Sequence, residues 1–506
     1  MAISKQDSNL TGLRIVEEAT LGVLPGSPLW VGLEPNSYAD FGAQIKTVAR
    51  EPITDTRQRQ KGSVVDLDAG AGFNSDLTMT NMTKWLQGFF FADIREKLST
   101  IPYNGTPVPI TGITSSTKTY TAAANMPAFI AGDLVSVKGA ATAANNGLKV
   151  VSSRTTTTVV VAAGVTADDA APAAVTIDRV GFQLGSGTSA IALNGNLVQL
   201  TDSTKDMTTL GLTPGEWIYI GGDGVALDFT TNATGFARVS RITAGFLEFD
   251  KVTWTASAET GTGKTIQIFM GDFLKNELAS LIKRRTYQLE RSLGSDADGV
   301  MSEYLIGGVC NELTINIPQA NKVTVDLTYL GMDSVQYTGL AGRKAGTRPV
   351  TNVGSAINTS SDFARIKMGI ADPTNGAVTP LFAFSTDLKL TIKNNATVDK
   401  ALGVLGGFEV TVGNFEVDGT QTAYFANVTS VQAVRTNADV TLDIIMLRPN
   451  QGIIFDIPLL GLGDGRSKVE KDKAILLNLT QAAAQSSYGN TLSYMAFRYL
   501  PTVATS

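Results

Sequence analysis

The feature that most constrains this chain is a period-two alternation of apolar and polar residues, repeated in many short runs. Leu388-Lys389-Leu390-Thr391-Ile392 is one run; Leu313, Ile315 and Ile317 alternate with Thr314 and Asn316 in another; Val323, Val325, Leu327 and Tyr329 form a third. Period two places the apolar set on one face of a pleated strand and the polar set on the other, so each run reads as a half-buried antiparallel strand. Residues 287–291, 408–417, 440–447, 453–457 and 494–500 read the same way, and residues 63–80 read as two strands around a Gly70–Gly72 turn. The 50 glycines and the abundance of Thr and Val favour strands and tight turns. The predicted fold is therefore mainly β, in sandwich or barrel domains with short flanking helices.

Helical spacing is confined to short stretches. Met82, Trp85, Leu86, Phe89 and Phe90 follow Thr80 and Asn81, either of which can cap a helix. Residues 272–286 read as a second short helix, with Phe273, Leu274, Leu278, Leu281 and Ile282 on one face. A third helix within 422–434 is weakened by β-branched residues.

The 506 residues allow about three or four domains at roughly 100–200 residues each. Between them lies a region rich in Ala, Thr and Gly that repeats itself. Gly132-Asp133-Leu134-Val135-Ser136-Val137 is echoed by Gly215-Glu216-Trp217-Ile218-Tyr219-Ile220, and Asn146-Gly147-Leu148-Lys149-Val150 by Thr234-Gly235-Phe236-Ala237-Arg238. This predicts a tandem pair of small β-modules, 103–179 and 180–270, inserted into a host domain made of 1–102 and 271–335. Residues 336–380, with Arg343, Lys344 and Arg348, read as a linker or long loop. Residues 381–506 form a second β unit. Phe73-Asn74-Ser75-Asp76-Leu77-Thr78 and Phe415-Glu416-Val417-Asp418-Gly419-Thr420, each leading towards a helix, point to duplication of the host unit.

Composition argues against catalysis. There is no histidine, which removes the usual general base and the commonest zinc ligand. Cys310 is the only cysteine and reads as a small buried apolar residue. With 41 basic and 46 acidic residues the formal charge is −5, without the basic excess of a nucleic-acid gripper. Gly261-Thr262-Gly263-Lys264-Thr265 resembles the end of a phosphate loop, but Ala258 stands where a glycine is required and a strand-like Ile266-Gln267-Ile268-Phe269 follows; it reads as a turn. Asp296-Ala297-Asp298-Gly299 lacks the later ligands of a calcium loop and also reads as a turn, as does Gly463-Asp464-Gly465. The expectation is no enzyme, no cofactor and no metal site. The polar start at Met1 to Gln6 shows no signal peptide, and no run of 18 apolar residues predicts membrane insertion. A soluble protein made in a cytoplasm is expected.

Glu17-Glu18-Ala19-Thr20-Leu21-Gly22-Val23-Leu24-Pro25 resembles the opening of phage tail tube proteins. The polar run with Arg50, Arg57 and Gly62 leads into the first strands as in that family. Tyr304-Leu305-Ile306-Gly307-Gly308-Val309-Cys310-Asn311-Glu312-Leu313 is similar to one of its strands, and segments 415–420 and 453–458 also fit. The resemblance covers most of 15–100, 270–335 and 380–500, and the inserted modules lie outside it as decoration. It implies a structural virion protein of a long-tailed, siphovirus-type bacteriophage. Such a protein is assembled in the host bacterial cytoplasm into stacked rings that conduct DNA during ejection. The implied partners are other copies of the chain, three two-domain chains or six chains to a ring, with the tape measure, tail-tip and tail-terminator proteins. Phage DNA would pass without specific binding. Asp66, Asp68, Glu416 and Asp418 alternate with apolar residues and are candidate lumen-facing acids or ordinary solvent-facing positions. Arg50, Glu51, Asp55, Arg57, Arg59 and Lys61 form an exposed loop or long hairpin and a candidate inter-ring contact. The rival reading is a β-sandwich adhesin or carbohydrate-binding virion surface protein.

Overall fold

The computed structural model describes residues 6–505 apart from 171, 173, 231–233, 297–298, 352, 372–377 and 383. The first β unit opens with β1 (Thr11–Glu17), β2 (Val31–Leu33) and two long strands, β3 (Pro35–Val48) and β4 (Ser63–Asp76), followed by helix α1 (Leu86–Phe90). The chain then leaves for an insertion: β5 (Ile110–Thr114), β6 (Thr119–Ala122), β7 (Asp133–Lys138), β8 (Gly147–Arg154), β9 (Thr158–Val161), β10 (Thr176–Gln183), β11 (Ser189–Asn194), β12 (Leu197–Asp202), β13 (Trp217–Ile220), β14 (Gly235–Ile242), β15 (Phe246–Val252), β16 (Glu259–Thr260) and β17 (Gln267–Met270). It returns through β18 (Asp272–Lys275), β19 (Tyr287–Asp296), β20 (Gly299–Pro318), β21 (Thr324–Gly331), β22 (Asp333–Tyr337) and a single turn, α2 (Gly339–Gly342). The second unit comprises β23 (Phe363–Ala371), β24 (Val378–Pro380), β25 (Ser385–Lys393), the hairpin β26 (Thr397–Asp399) and β27 (Glu409–Thr411), β28 (Glu416–Tyr424), α3 (Thr429–Arg435), β29 (Val440–Arg448), β30 (Gln451–Lys468), β31 (Leu476–Ala483) and β32 (Ser493–Phe497).

The two units have the same wiring. In the first, β1 pairs with β2 and β19, β19 with β20, β20 with β21, β21 with β4, and β4 with β3. In the second, β23 pairs with β24 and β29, β29 with β30, β30 with β31, β31 with β28, and β28 with β25. Adding 152 carries β19, β20 and β21 onto β29, β30 and β31, so Gly299 falls on Gln451 and Thr324 on Leu476. The host is thus duplicated. By strand pairing Gly70 corresponds to Asp418, so element order matches the sequence reading while the residue register differs from it by six. β20 pairs with β25 and fuses the units into one sheet. Both units share one hydrophobic core, with Phe73, Phe89, Leu313 and Leu327 from the first and Leu390, Leu442, Ile457 and Leu479 from the second.

The insertion is a second duplication. β5 to β10 pair in the order β5–β6–β9–β8–β7–β10, and β11, β12, β15, β14, β13 and β17 repeat that order. Each copy encloses its own core, one around Tyr120, Val135 and Val159, the other around Ile218, Leu247 and Ile268. A third cluster, with Trp217 and Phe236 of the insertion against Ile445, Ile454 and Phe497 of the second unit, seats the insertion on its host. Around it sit buried ion pairs. Arg238 reaches Asp250 at 2.8 Å and Asp456 at 3.2 Å; Lys251 pairs with Asp443, which also takes Arg365 at 2.7 Å. Burial alone would raise the Asp443 carboxyl, but Lys251 and Arg365 outweigh it and hold it below the usual carboxylate range.

Four local expectations are corrected. Residues 63–76 are one continuous strand, because Gly70 and Gly72 let Tyr329 and Ala39 of the flanking strands approach closely. Residues 272–275 are strand, not helix: Phe273 and Leu274 are both fully buried, one in each of two different clusters, and an apolar run covered on both faces has no diagnostic period. Helix α1 is capped by neither Thr80 nor Asn81; Asn81 instead hydrogen-bonds Thr78 and Asp76. The expected linker 336–380 contains β23 and β24, and Arg343 and Arg348 each reach buried Glu290 at 2.7 Å, docking the segment on the first unit.

Replacing Asp443 with Ala strands Lys251 and Arg365 in a buried site. The expected loss is about 3–5 kcal/mol, read as a lowered denaturant midpoint.

Candidate assembly surface

Eight strands form a continuous run in the order β3–β4–β21–β20–β25–β28–β31–β30. One face of this run covers the core; the other carries the alternate residues of each strand. From β4 and β21 these are Asp66, Asp68, Asn74, Asp326 and Thr328; from β25 and β28 they are Lys389, Lys393, Glu416, Asp418 and Thr420. All four acids expected from the sequence therefore lie on the outer face of one sheet. Asp68 and Glu416 occupy equivalent places, since Gln44 opposes Asp68 as Lys393 opposes Glu416.

Three of these acids are engaged. Lys400 reaches Asp66 at 2.6 Å and Asp68 at 2.5 Å, and Lys46 pairs with both. The hydrogen bond from Lys400 is the main reason both carboxyls lie below their ordinary range. Asp418 takes Lys393 at 2.8 Å. The net character of the face remains acidic and hydroxyl-rich, with lysines spaced among the acids.

Two arms leave this sheet at equivalent corners. Residues 49–62 join β3 to β4 and carry Arg50, Glu51, Asp55, Arg57, Arg59 and Lys61 on exposed backbone, with Ile53 fully exposed at the tip. Residues 394–415 join β25 to β28 and form the β26–β27 hairpin, with Leu402, Leu405 and Phe408 exposed. The second arm folds back over the first unit: Lys400 binds the Asp66–Asp68 pair, and the Gly407 amide donates to the Met332 carbonyl at 3.1 Å. Sequence reading identified the first arm by its charge density. It missed the second, whose one signal is the apolar Leu402-Gly403-Val404-Leu405 between glycines.

The turn expected at Gly463-Asp464-Gly465 is instead a bulge inside β30, with positive φ at Asp464 and Gly465 and a register shift against β31. The phosphate-loop-like Gly261–Lys264 stretch is a turn between β16 and β17. Asp296 ends β19 and Gly299 begins β20, while Ala297 and Asp298 lie outside the described residues. Cys310 is buried, and burial pushes its thiol well up.

The family model described as phage tail tube protein matches residues 8–213 and 216–483. The chain belongs to the phage tail tube protein family. No curated protein matches it. As a tail tube protein it is a structural component of the virion tail, and membership implies self-assembly into a tube. No helix among the described residues is long and apolar enough to cross a membrane.

Lys400→Glu is expected to release the second arm, seen as faster amide exchange across 397–411 with the sheet unchanged. The depressed carboxyls of Asp66 and Asp68 keep the pin charged above their unfolded pKa, near 4, and lose it as pH falls through their lower folded values. Exchange in the arm should therefore rise only below about pH 4.

Proposed function

We propose that three copies of this chain close into a ring with pseudo-sixfold symmetry, and that such rings stack into a tail tube through which the genome leaves. The duplicated unit, fused edge to edge through β20 and β25, carries this reading. Each chain supplies two equivalent four-stranded staves, so three chains supply twenty-four strands. At about 4.8 Å between strands and a tilt near 40°, twenty-four strands close a cylinder roughly 50 Å across at the backbone. That leaves room for a DNA duplex after side chains are added. The polar face with Asp66, Asp68, Glu416 and Asp418 lines the bore, where net negative charge keeps DNA from adhering. The insertion, seated on the opposite side of the second unit, decorates the exterior.

The arm 49–62 reaches the adjacent ring, with Arg50, Arg57, Arg59 and Lys61 meeting acidic groups there. Tail-tip and tail-terminator proteins engage the two ends of the stack, and the tape measure protein occupies the bore during assembly in the host cytoplasm. Conduction needs no bound cofactor and no chemical step.

Negative-stain electron microscopy of the purified chain tests the reading. Threefold rings or banded hollow tubes are expected; sixfold rings of six chains, or compact monomers at every concentration, would overturn it. Reversing Arg50, Arg57, Arg59 and Lys61 to glutamate should leave rings that stack poorly. Glu416→Lys should slow genome ejection several-fold while tube length stays normal.

A further inference from the structure

The seam inside the chain is a template for the seam between chains. Two strands of the eight-stranded run have an edge without a strand partner among the described residues: β3, paired only with β4, and the C-terminal part of β30, paired there only with β31. They are the repeat equivalents of β25 and β20, which pair with each other. On this basis, which rests on the ring reading above, we infer that residues 37–44 of one chain form an antiparallel ladder with residues 463–470 of the next.

The register follows from the repeat. Inside the chain Asn316 opposes Lys389. Asn316 corresponds to Lys468, since each opposes the first residue of its partner, Thr324 or Leu476. Lys389 corresponds to Ala39, since Lys389 opposes Thr420 and Ala39 opposes Gly72, an equivalent pair. Ala39 therefore meets Lys468 of the neighbouring copy.

An independent feature supports this register. β3 carries a bulge between Ala39 and Gly42, with Asp40 at φ 45°, and β30 carries one between Asp464 and Ser467, with Asp464 at φ 63°. β25 has no register shift at the corresponding place, and β20 carries its shift between Cys310 and Glu312, just outside its ladder with β25. A single added residue on one edge would break an intermolecular ladder after its first pairs. Two added residues, one on each edge, fall opposite each other in the inferred register. Asp40 then meets Ser467, Phe41 meets Arg466, Gly42 meets Gly465 and Ala43 meets Asp464, one for one. No like charges oppose each other, and Arg466 is largely exposed in the single chain.

The test uses the full chain, whose one native cysteine is buried. Ala39→Cys combined with Lys468→Cys should give, on mild oxidation of assembled protein, a covalent species of three chains on a non-reducing gel. Ala43→Cys with Lys468→Cys, about four residues or 13 Å out of register, should give none. In the unmodified chain, amides of 37–44 and 463–470 should gain protection from exchange on assembly. Rings that form without the first cross-link, with the second one instead, or without that protection overturn the seam and leave the ring reading standing. An unmodified chain that never forms rings overturns both.

Discussion

An antiparallel sheet ends in two rows of unsatisfied backbone donors and acceptors, and this constraint organises the whole molecule. Within the chain one potential pair of edges is already closed, where β20 meets β25 over residues 312–318 and 387–393. The remaining two, on β3 and β30, are long and partly apolar. Neither edge has a strand partner among the described residues. A monomeric protein would protect such edges; open edges fit the tail tube family to which the chain belongs. In the inferred seam the bulges in β3 and β30 would not blunt the edges, because each would offset the other.

The strands themselves were legible because one of their faces is solvated. β21, β25 and the C-terminal end of β20 carry the alternation, with Leu313, Val325 and Leu390 inside and Asn316, Asp326 and Lys389 outside. Alternation fails where both faces are covered, and β18 was lost for that reason: Phe273 faces the insertion's cluster and Leu274 the main core. Glycine was misread twice. At Gly70 and Gly72 it permits close approach of neighbouring backbone, and at Gly463 and Gly465 it accompanies a bulge; both were taken for turns. The duplication was visible as element order only. Packing requires apolar residues at matched places, as where Val325 and Leu327 fall on Leu477 and Leu479, and it leaves side-chain identity free to drift.

The outer face was partly readable for a similar reason. Asp66, Asp68, Glu416 and Asp418 share a parity with their strands, and parity alone places them away from the core. Their partner could not be read. Lys400 lies 332 residues from Asp68 in sequence, and only the folding back of the second arm brings the two together. The charge of the face is thus a property of the assembled units and cannot be obtained by counting acids along one strand.

The insertion bears on the two units unequally. It departs from the first unit after α1 but rests on the second, through Trp217 and Phe236 against Ile454 and Phe497 and through the Arg238–Asp456 and Lys251–Asp443 pairs. Arg498, near the end of the second unit, adds contacts to Glu96 and Asp272, where the insertion begins and ends, and to Asp178 of β10 within it. Buried pairs of this kind contribute little net stability over an apolar contact, yet breaking one is costly, so they fix geometry more than they add strength. The insertion, continuous in sequence with the first unit and packed on the second, thus ties the two units together outside the β20–β25 ladder. In the proposed ring, the seam at β3 and β30 would have only its ladder and the first arm. Fusing two units edge to edge sets the angle between them within a single chain. In the proposed ring, each further chain would then have one junction to form.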